Sequence, residues 1–484
     1  MNRILPRSLA ACRRFRRAFS AAAGSPLLAS SKLLPHSVRG IFNNYCDHGR
    51  PHFFARPRGS GPSIDGTFSS MPDNEYEQWD TILDHCNGLL LFDNGDEKIY
   101  VCNPATRRWA LLPPSLPSDP SLGHSLAYLA FDPRVPALQD DTARDLRTEW
   151  PPLHYKLQVF SSATGEWEHK VFLRQGSPVG VVADVQLDSW EPVYWGPERR
   201  YAECWKGSLY VHCRGAYVMR LSLTEDKYRI IKTPTNIEEN KDIAPFLGLS
   251  VNGVSYAALK DHELRIWALD DSGEELRWVL KHHVNLETLC RQILWKYNDE
   301  TKRPWAIINR DGYKAYDDEV VGQDEVCEWN SDDDDVIDNK ESNLDSCHRT
   351  FKFIGFHPYK EVVFLSKGFD MVTYHLSSKK AQNLGNAFPL GYGGHCASFD
   401  ESFIYTPCLI DSLPQMDMLR GASRSGPRNS KVTRTVADIY KPTQGVQGQR
   451  CSLTAFNCMV LVQMLREGTH TAADTSQFRA FNCA

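Results

Sequence analysis

One hairpin recurs along this chain, and its recurrence restricts the fold more than any other feature. Each copy reads as an apolar strand, a turn, a second apolar strand, a polar turn, and an aromatic or apolar residue that opens another strand. The first copy is Cys86-Asn87-Gly88-Leu89-Leu90-Leu91-Phe92, then Ile99-Tyr100-Val101-Cys102, then Asn103-Pro104-Ala105-Thr106-Arg107-Arg108-Trp109. The second closes on Gly165-Glu166-Trp167. The third runs from Gly207 to Tyr228, the fourth from Gly253 to Trp278, and a later one from Glu361 to Leu384. The closing aromatics Trp109, Trp167, Tyr228 and Trp278 stand 58, 61 and 50 residues apart. A four-stranded unit cannot bury both of its faces alone, so such copies must stack radially into a ring. A β-sandwich with similar hairpins is the alternative, but a sandwich has no need to repeat one hairpin with one closing aromatic.

A period near 50 residues is that of kelch-type blades. The expectation is therefore an all-β, kelch-like β-propeller of about six or seven blades over residues 53–414. Its predicted strands include Leu89–Phe92, Ile99–Cys102, Leu126–Phe131, Lys156–Phe160, Ser208–Cys213 and Tyr217–Leu221. Further ones are Val254–Leu259, Glu263–Trp267, Val362–Ser366, Met371–His375 and Phe403–Thr406, separated by turns such as Asp93-Asn94-Gly95-Asp96 and Asp271-Ser272-Gly273. The content of 12 Trp and 19 Tyr suits such strands, because flat rings pack well on a pleated surface.

Outside the repeats the texture changes. The first 46 residues hold no Asp or Glu but carry seven arginines, and Ser8–Ala23 has the Ala-rich, 3–4-residue apolar spacing of a helix. Residues 33–52 read as a linker. Asp317–Asp345 holds thirteen acidic residues against one lysine, Lys340, and reads as a solvated loop. A calcium site there lacks the alternating D-x-D-x-D-G form. Residues 415–484 read as a disordered tail, in which the apolar cluster Leu453–Leu465 is too short to cross a membrane.

Catalytic patterns are not found. Gly391-Tyr392-Gly393-Gly394-His395 lacks the form of a phosphate loop, neither G-x-S-x-G nor H-E-x-x-H occurs, and neighbouring His282 and His283 would point to opposite faces of a strand. Trp190, Trp195, Trp205 and Trp295 are expected in the core rather than in a ligand cage. The 14 cysteines form no C-x-x-C pair and have no zinc spacing, so reduced thiols are expected. A net charge of −5 gives no reason to expect nucleic acid as a partner. No enzyme activity, cofactor, metal or membrane is expected.

The C-N-G-L-L run at Cys86–Leu90, followed by N-P-x-T-x-x-W-x-x-L-P at Asn103–Pro113, resembles the first blade of plant F-box-associated propellers. Leu33–Phe42 and Phe403–Leu409 resemble the grass branch of that family. The resemblance covers about residues 33–414. It implies an N-terminal F-box that docks on a Skp-type adaptor, and a propeller that presents a protein substrate to a cullin-type SCF ubiquitin ligase. Within residues 1–32, Leu5-Pro6-Arg7-Ser8-Leu9 resembles the middle of an F-box and Arg13–Phe19 its R-x-V-C-K-x-W run, while the opening half of the motif has no counterpart. The implied adaptor contacts are Leu5, Pro6, Leu9, Phe15 and Phe19. Two other readings stay open: a stand-alone kelch-like scaffold, and an organellar protein whose Arg-rich start is a transit peptide. The expected compartment is cytoplasm or nucleus, with mitochondrion or chloroplast as the alternative.

Overall fold

A computed structural model describes residues 37–45, 48–56, 63–71, 80–93, 98–113, 125–131, 149–161, 166–181, 201–213, 216–236, 243–273, 275–292, 305–308, 329, 350–389, 399–408 and 459–465. The first strands are β1 (Gly40–Tyr45), β2 (His48–Ala55), β3 (Thr81–Cys86), β4 (Leu89–Asp93), β5 (Ile99–Asn103), β6 (Arg108–Leu111) and β7 (Ser125–Phe131). They are followed by β8 (Glu149–Trp150), β9 (His154–Ser161), β10 (Glu166–Arg174), β11 (Gly180–Val181), β12 (Ala202–Trp205), β13 (Ser208–Cys213), β14 (Tyr217–Ser222) and β15 (Lys227–Lys232). Next come β16 (Ala244–Ser250), β17 (Gly253–Lys260), β18 (Glu263–Asp270), β19 (Arg277–Asn285), the helix α1 (Glu287–Gln292) and β20 (Ala306–Ile308). The last are β21 (Lys352–Phe356), β22 (Val362–Lys367), β23 (Asp370–His375), β24 (Ala381–Asn386), β25 (Phe399–Tyr405) and β26 (Met459–Leu465).

The fold is nearly all-β and propeller-like. Four sheets have four strands each, in the orders β20-β2-β1-β25, β3-β4-β5-β6, β16-β17-β18-β19 and β21-β22-β23-β24. A fifth has eight, β12-β13-β14-β15-β10-β9-β26-β7, and β8 and β11 form a small ribbon. One edge strand of each unit faces inward. β3 packs beside β7, β7 beside β12, β12 beside β16, β16 beside β21 and β21 beside β25, and β2 returns to β3. The sequence predicts six or seven blades, whereas the described residues form five large sheets and the one small ribbon. The reason is that β10 and β15 join in parallel over Leu173↔Lys227 and Arg174↔Tyr228, which fuses two four-stranded units into one sheet.

All eleven predicted strands overlap observed ones. Two boundaries are corrected. The expected linker 33–52 contains β1 and the start of β2, and β1 pairs with β25 from Gly40↔Tyr405 to Tyr45↔Phe399. Strands more than 350 residues apart in the chain thus share one sheet and close the ring, as Gly40↔Tyr405 shows. Asn43 and Asn44 lie within β1, and both side chains are buried. Asn44 donates to Ile82 O (2.8 Å) and accepts from Ile82 N (3.2 Å), while Ser402 Oγ donates to Asn43 Oδ1 (2.8 Å). The expected disordered tail supplies β26, which lies between β7 and β9. The F-box remnant of residues 1–32 lies outside the described residues. So does the acidic segment 317–345 except for Trp329, which packs on Trp305 (5.3 Å between centroids) and Phe364 (5.9 Å).

The closing aromatics clamp neighbouring units, and each is half-buried except Tyr228, which is buried. Trp109 Nε1 donates to Ser70 O (2.7 Å), Trp167 Nε1 to Pro113 O (2.8 Å) and Trp278 Nε1 to Lys232 O (2.9 Å). Tyr228 takes the same place with its hydroxyl on Pro152 O. Each acceptor belongs to chain that precedes the unit carrying the ring, so one repeated residue type ties unit to unit. The indole suits this task because it couples a large apolar face to a single donor.

Candidate protein-interaction surface

The stretch Trp150-Pro151-Pro152-Leu153 cannot join a central ladder, since prolines donate no backbone hydrogen bond. It packs instead against the chain leaving β10. β8 pairs with β11 through Gly180↔Trp150, Val179 N donates to Trp150 O (2.9 Å), and Arg174 N donates to Leu153 O (2.8 Å). The Trp150 ring is buried beside Tyr217, with centroids 5.2 Å apart. Arg174 staples the two segments: Nε donates to Gly176 O (3.2 Å), Nη1 to Pro151 O, and Nη2 lies 3.3 Å from Glu149 Oε2. A planar guanidinium with fixed donors suits such multi-point fastening. Burial pushes the Tyr228 phenol well above its ordinary range, so it remains a donor to Pro152 O.

This scaffold leaves three large apolar side chains at the surface: Leu153 (51% exposed), Leu173 (43%) and Val179 (43%). Backbone hydrogen bonds and the Arg174 staple hold them in place, so ordering them against a partner costs little. Also on β10, Lys170 is buried, donates to Leu223 O (3.0 Å) and pairs with Asp226. That pair fastens the two halves of the eight-stranded sheet.

The inner strands carry a different chemistry. Asp84 is buried and accepts from Leu129 N (2.7 Å) and His85 N (2.8 Å), linking β3 to β7. Cys86 on β3 meets Cys204 on β12; its hydrogen bond with that thiol and then burial hold Cys86 well above the ordinary thiol range. Cys86 therefore stays protonated near neutral pH and is a poor nucleophile. Cys86, Cys102, Cys204, Cys213 and Cys408 are in no disulfide, whereas Cys290 is disulfide-bonded, which departs from the expectation of reduced thiols throughout. Among the described residues no group of three or more His, Cys, Asp or Glu could hold a metal ion. A cavity between β16–β19 and β21–β24, lined by Ser255, His282, Lys360 and Glu361 among others, encloses about 10 Å³. That is room for about one water, not for an organic ligand.

The expected adaptor contacts Leu5, Pro6, Leu9, Phe15 and Phe19 lie outside the described residues, as do Gly391–His395 and Trp190, Trp195 and Trp295. Trp205 is half-buried, with Lys206 over its ring at 5.8 Å. His282 and His283 diverge as expected, toward Glu361 (3.7 Å) and Glu263 (2.8 Å) respectively. The motif residues Asn87-Gly88 and Asn103-Pro104 meet at the ring closure, where Asn103 Nδ2 donates to Cys408 O (2.9 Å). Sequence reading missed Leu153, Leu173 and Val179. The one available signal was a Pro-Pro pair followed by a leucine that no strand alternation places inside.

No protein-family profile and no curated protein matches this chain. None of the described helices is long and apolar enough to cross a membrane.

Proposed function

We propose that this chain is a non-enzymatic protein-recognition propeller that serves as substrate receptor of a cullin-type SCF ubiquitin ligase. In this reading the eight-stranded sheet counts as two blades, giving a ring of six. Leu5, Pro6, Leu9, Phe15 and Phe19 contact a Skp-type adaptor, and a protein substrate binds the propeller. The observation that carries recognition is the exposure of Leu153, Leu173 and Val179 on chain segments joined by backbone hydrogen bonds and by Arg174, beside the junction of two four-stranded units. Exposed apolar groups on a preorganised backbone are the usual anchors of protein interfaces. The ligase assignment is supported by the C-N-G-L-L and N-P-x-T motifs alone, whose asparagines and glycine sit at the ring closure. A second reading, a scaffold without ligase recruitment, needs only the ring itself, which β1 and β25 complete by pairing from Gly40↔Tyr405 to Tyr45↔Phe399.

Direct binding separates the two. Full-length protein is titrated with a Skp-type adaptor beside a complete F-box protein, and Leu9→Asp with Phe19→Asp serves as the control. A receptor whose adaptor contacts are Leu5, Pro6, Leu9, Phe15 and Phe19 should bind about ten-fold more weakly than the complete one, a loss of about 1.4 kcal/mol, and the double variant should bind weaker still. Binding unaffected by the double variant, or none at all, removes the ligase role and leaves the scaffold. Recognition is read separately: Leu153→Asp with Leu173→Asp should abolish co-purification of substrate without lowering the melting temperature by more than a few degrees.

A further inference from the structure

β26 comes from the far end of the chain, yet it occupies an interior position of a sheet. It pairs antiparallel with β7 at seven positions, Met459↔Phe131 through Leu465↔Ser125, and antiparallel with β9 at four, Val460↔Ser161 through Gln463↔Gln158. β7 and β9 are therefore parallel to each other and one strand's width apart, about 9–10 Å at ordinary strand spacing. Consecutive parallel strands with such a gap form a slot that presents two backbone edges.

Both walls of that slot are anchored without β26. β7 packs against β3 and β12, and Leu129 N donates to Asp84 Oδ2 on β3. β9 pairs with β10 at eight positions, and β10 continues into β15. Ring closure belongs to β1 and β25, which precede the tail. Withdrawal of β26 thus leaves two held edges whose N–H and C=O groups lack partners, a strong demand for another strand. The segment itself, Met-Val-Leu-Val-Gln-Met-Leu, is uncharged, and residues 409–458 tether it to the ring.

We propose that the slot between β7 and β9 is a strand-acceptor site, filled in this chain by β26 and open, when β26 withdraws, to an extended, uncharged apolar segment of a partner protein. The ligand runs antiparallel to both walls; its backbone supplies affinity and its alternate side chains supply selectivity. β26 is then an internal competitor whose tether keeps its effective concentration high, so the site is gated by the protein's own tail. This inference is independent of the ligase reading.

The probe is a fluorescein-labelled peptide of sequence Met459–Leu465 with flanking lysines for solubility. Its anisotropy is measured with the full-length chain and with the double variant Leu461→Pro, Val462→Pro. Adjacent amides of a strand point to opposite neighbours, so the two prolines remove one donor toward each wall. The variant should bind the probe at least about ten-fold more tightly than the intact chain does, since its own strand no longer competes. Equal affinities, or no binding by a variant that keeps its near-ultraviolet circular dichroism, overturn the proposal. Should the variant not fold, a protease site placed within residues 421–429 lets the tail be cut after folding, followed by a chase with excess probe. Uptake of probe with release of the fragment carrying residues 459–465 is the expected result. Retention of that fragment, or its loss without uptake of probe, refutes the slot.

Discussion

Gly88→Ala and Gly207→Ala form a matched pair that tests how the ring closes. Asn87 and Gly88 have φ of 49° and 78°, and Lys206 and Gly207 have 49° and 72°, so both pairs make the same left-handed two-residue turn between antiparallel strands. An alanine in that conformation costs about 1–2 kcal/mol at either site. At Gly207 the added methyl meets nothing within 4 Å. At Gly88 it would lie 2.3 Å from Cys408 N and 2.6 Å from Thr406 O. Ordinary contact is about 3.5 Å, so residues 406–408 must retreat by about 1 Å. Cys408 O would then leave Asn103 Nδ2, now at 2.9 Å, and Asn103 is 1% exposed. Orphaning that buried amide adds about 1–3 kcal/mol. Gly88→Ala should therefore cost about 2–5 kcal/mol and Gly207→Ala about 1–2 kcal/mol. Urea unfolding of the full chain reads the difference as a lower midpoint at unchanged slope. Equal losses to within about 0.5 kcal/mol would show that the closing segment yields freely, and the clash argument would fail.

Asn44→Ala should destabilise by about 2–4 kcal/mol in thermal melts, because both bonds to Ile82 are lost from a buried site. Asn44→Asp keeps the acceptor but faces Ile82 O with a second acceptor, so it should be no milder at pH 7 and should recover as the pH falls. Trp167→Phe retains the contact with Phe160 and loses only the bond to Pro113 O, an expected loss of about 1 kcal/mol by chemical denaturation; a change near zero would deny the clamp. Asp65 resists ionisation through burial, but hydrogen bonds from Ser69 and Ser70 outweigh that and hold its carboxyl below 3.8. Its folded pKa is depressed, so its stabilisation is present above the unfolded pKa and is lost as pH falls through the folded one, below about pH 4. Asp65→Asn should lower stability at pH 6 and flatten the acid limb; an unchanged acid limb would contradict this assignment.

The eleven strands expected from alternation and turn residues all overlap observed strands, because each is an apolar run bounded by residues that turn the chain. The closing aromatics were legible for the same reason: a Trp or Tyr at a fixed offset from a hairpin is a local pattern, and the clamp it makes repeats with the hairpin. What was not legible depends on partners distant in sequence. β1 contains Asn43-Asn44, polar residues whose places inside a strand depend on bonds to distant chain, Asn44 with Ile82 and Asn43 Oδ1 with Ser402. β26 reads as an apolar cluster in a disordered tail until β7 and β9 offer it two edges. The joining of two four-stranded units at Leu173 and Arg174 depends on how outer strands meet, which no local propensity encodes. The exposure of Leu153, Leu173 and Val179 follows from the staple of Arg174 across Pro151, Gly176 and Glu149. Sequence by itself determined the repeating strand-rich unit, since its period and turn chemistry are local. Only the tertiary structure decided how the ring closes, how many sheets it makes and which apolar groups stay outside, because those depend on hydrogen bonds and burial shared between segments hundreds of residues apart.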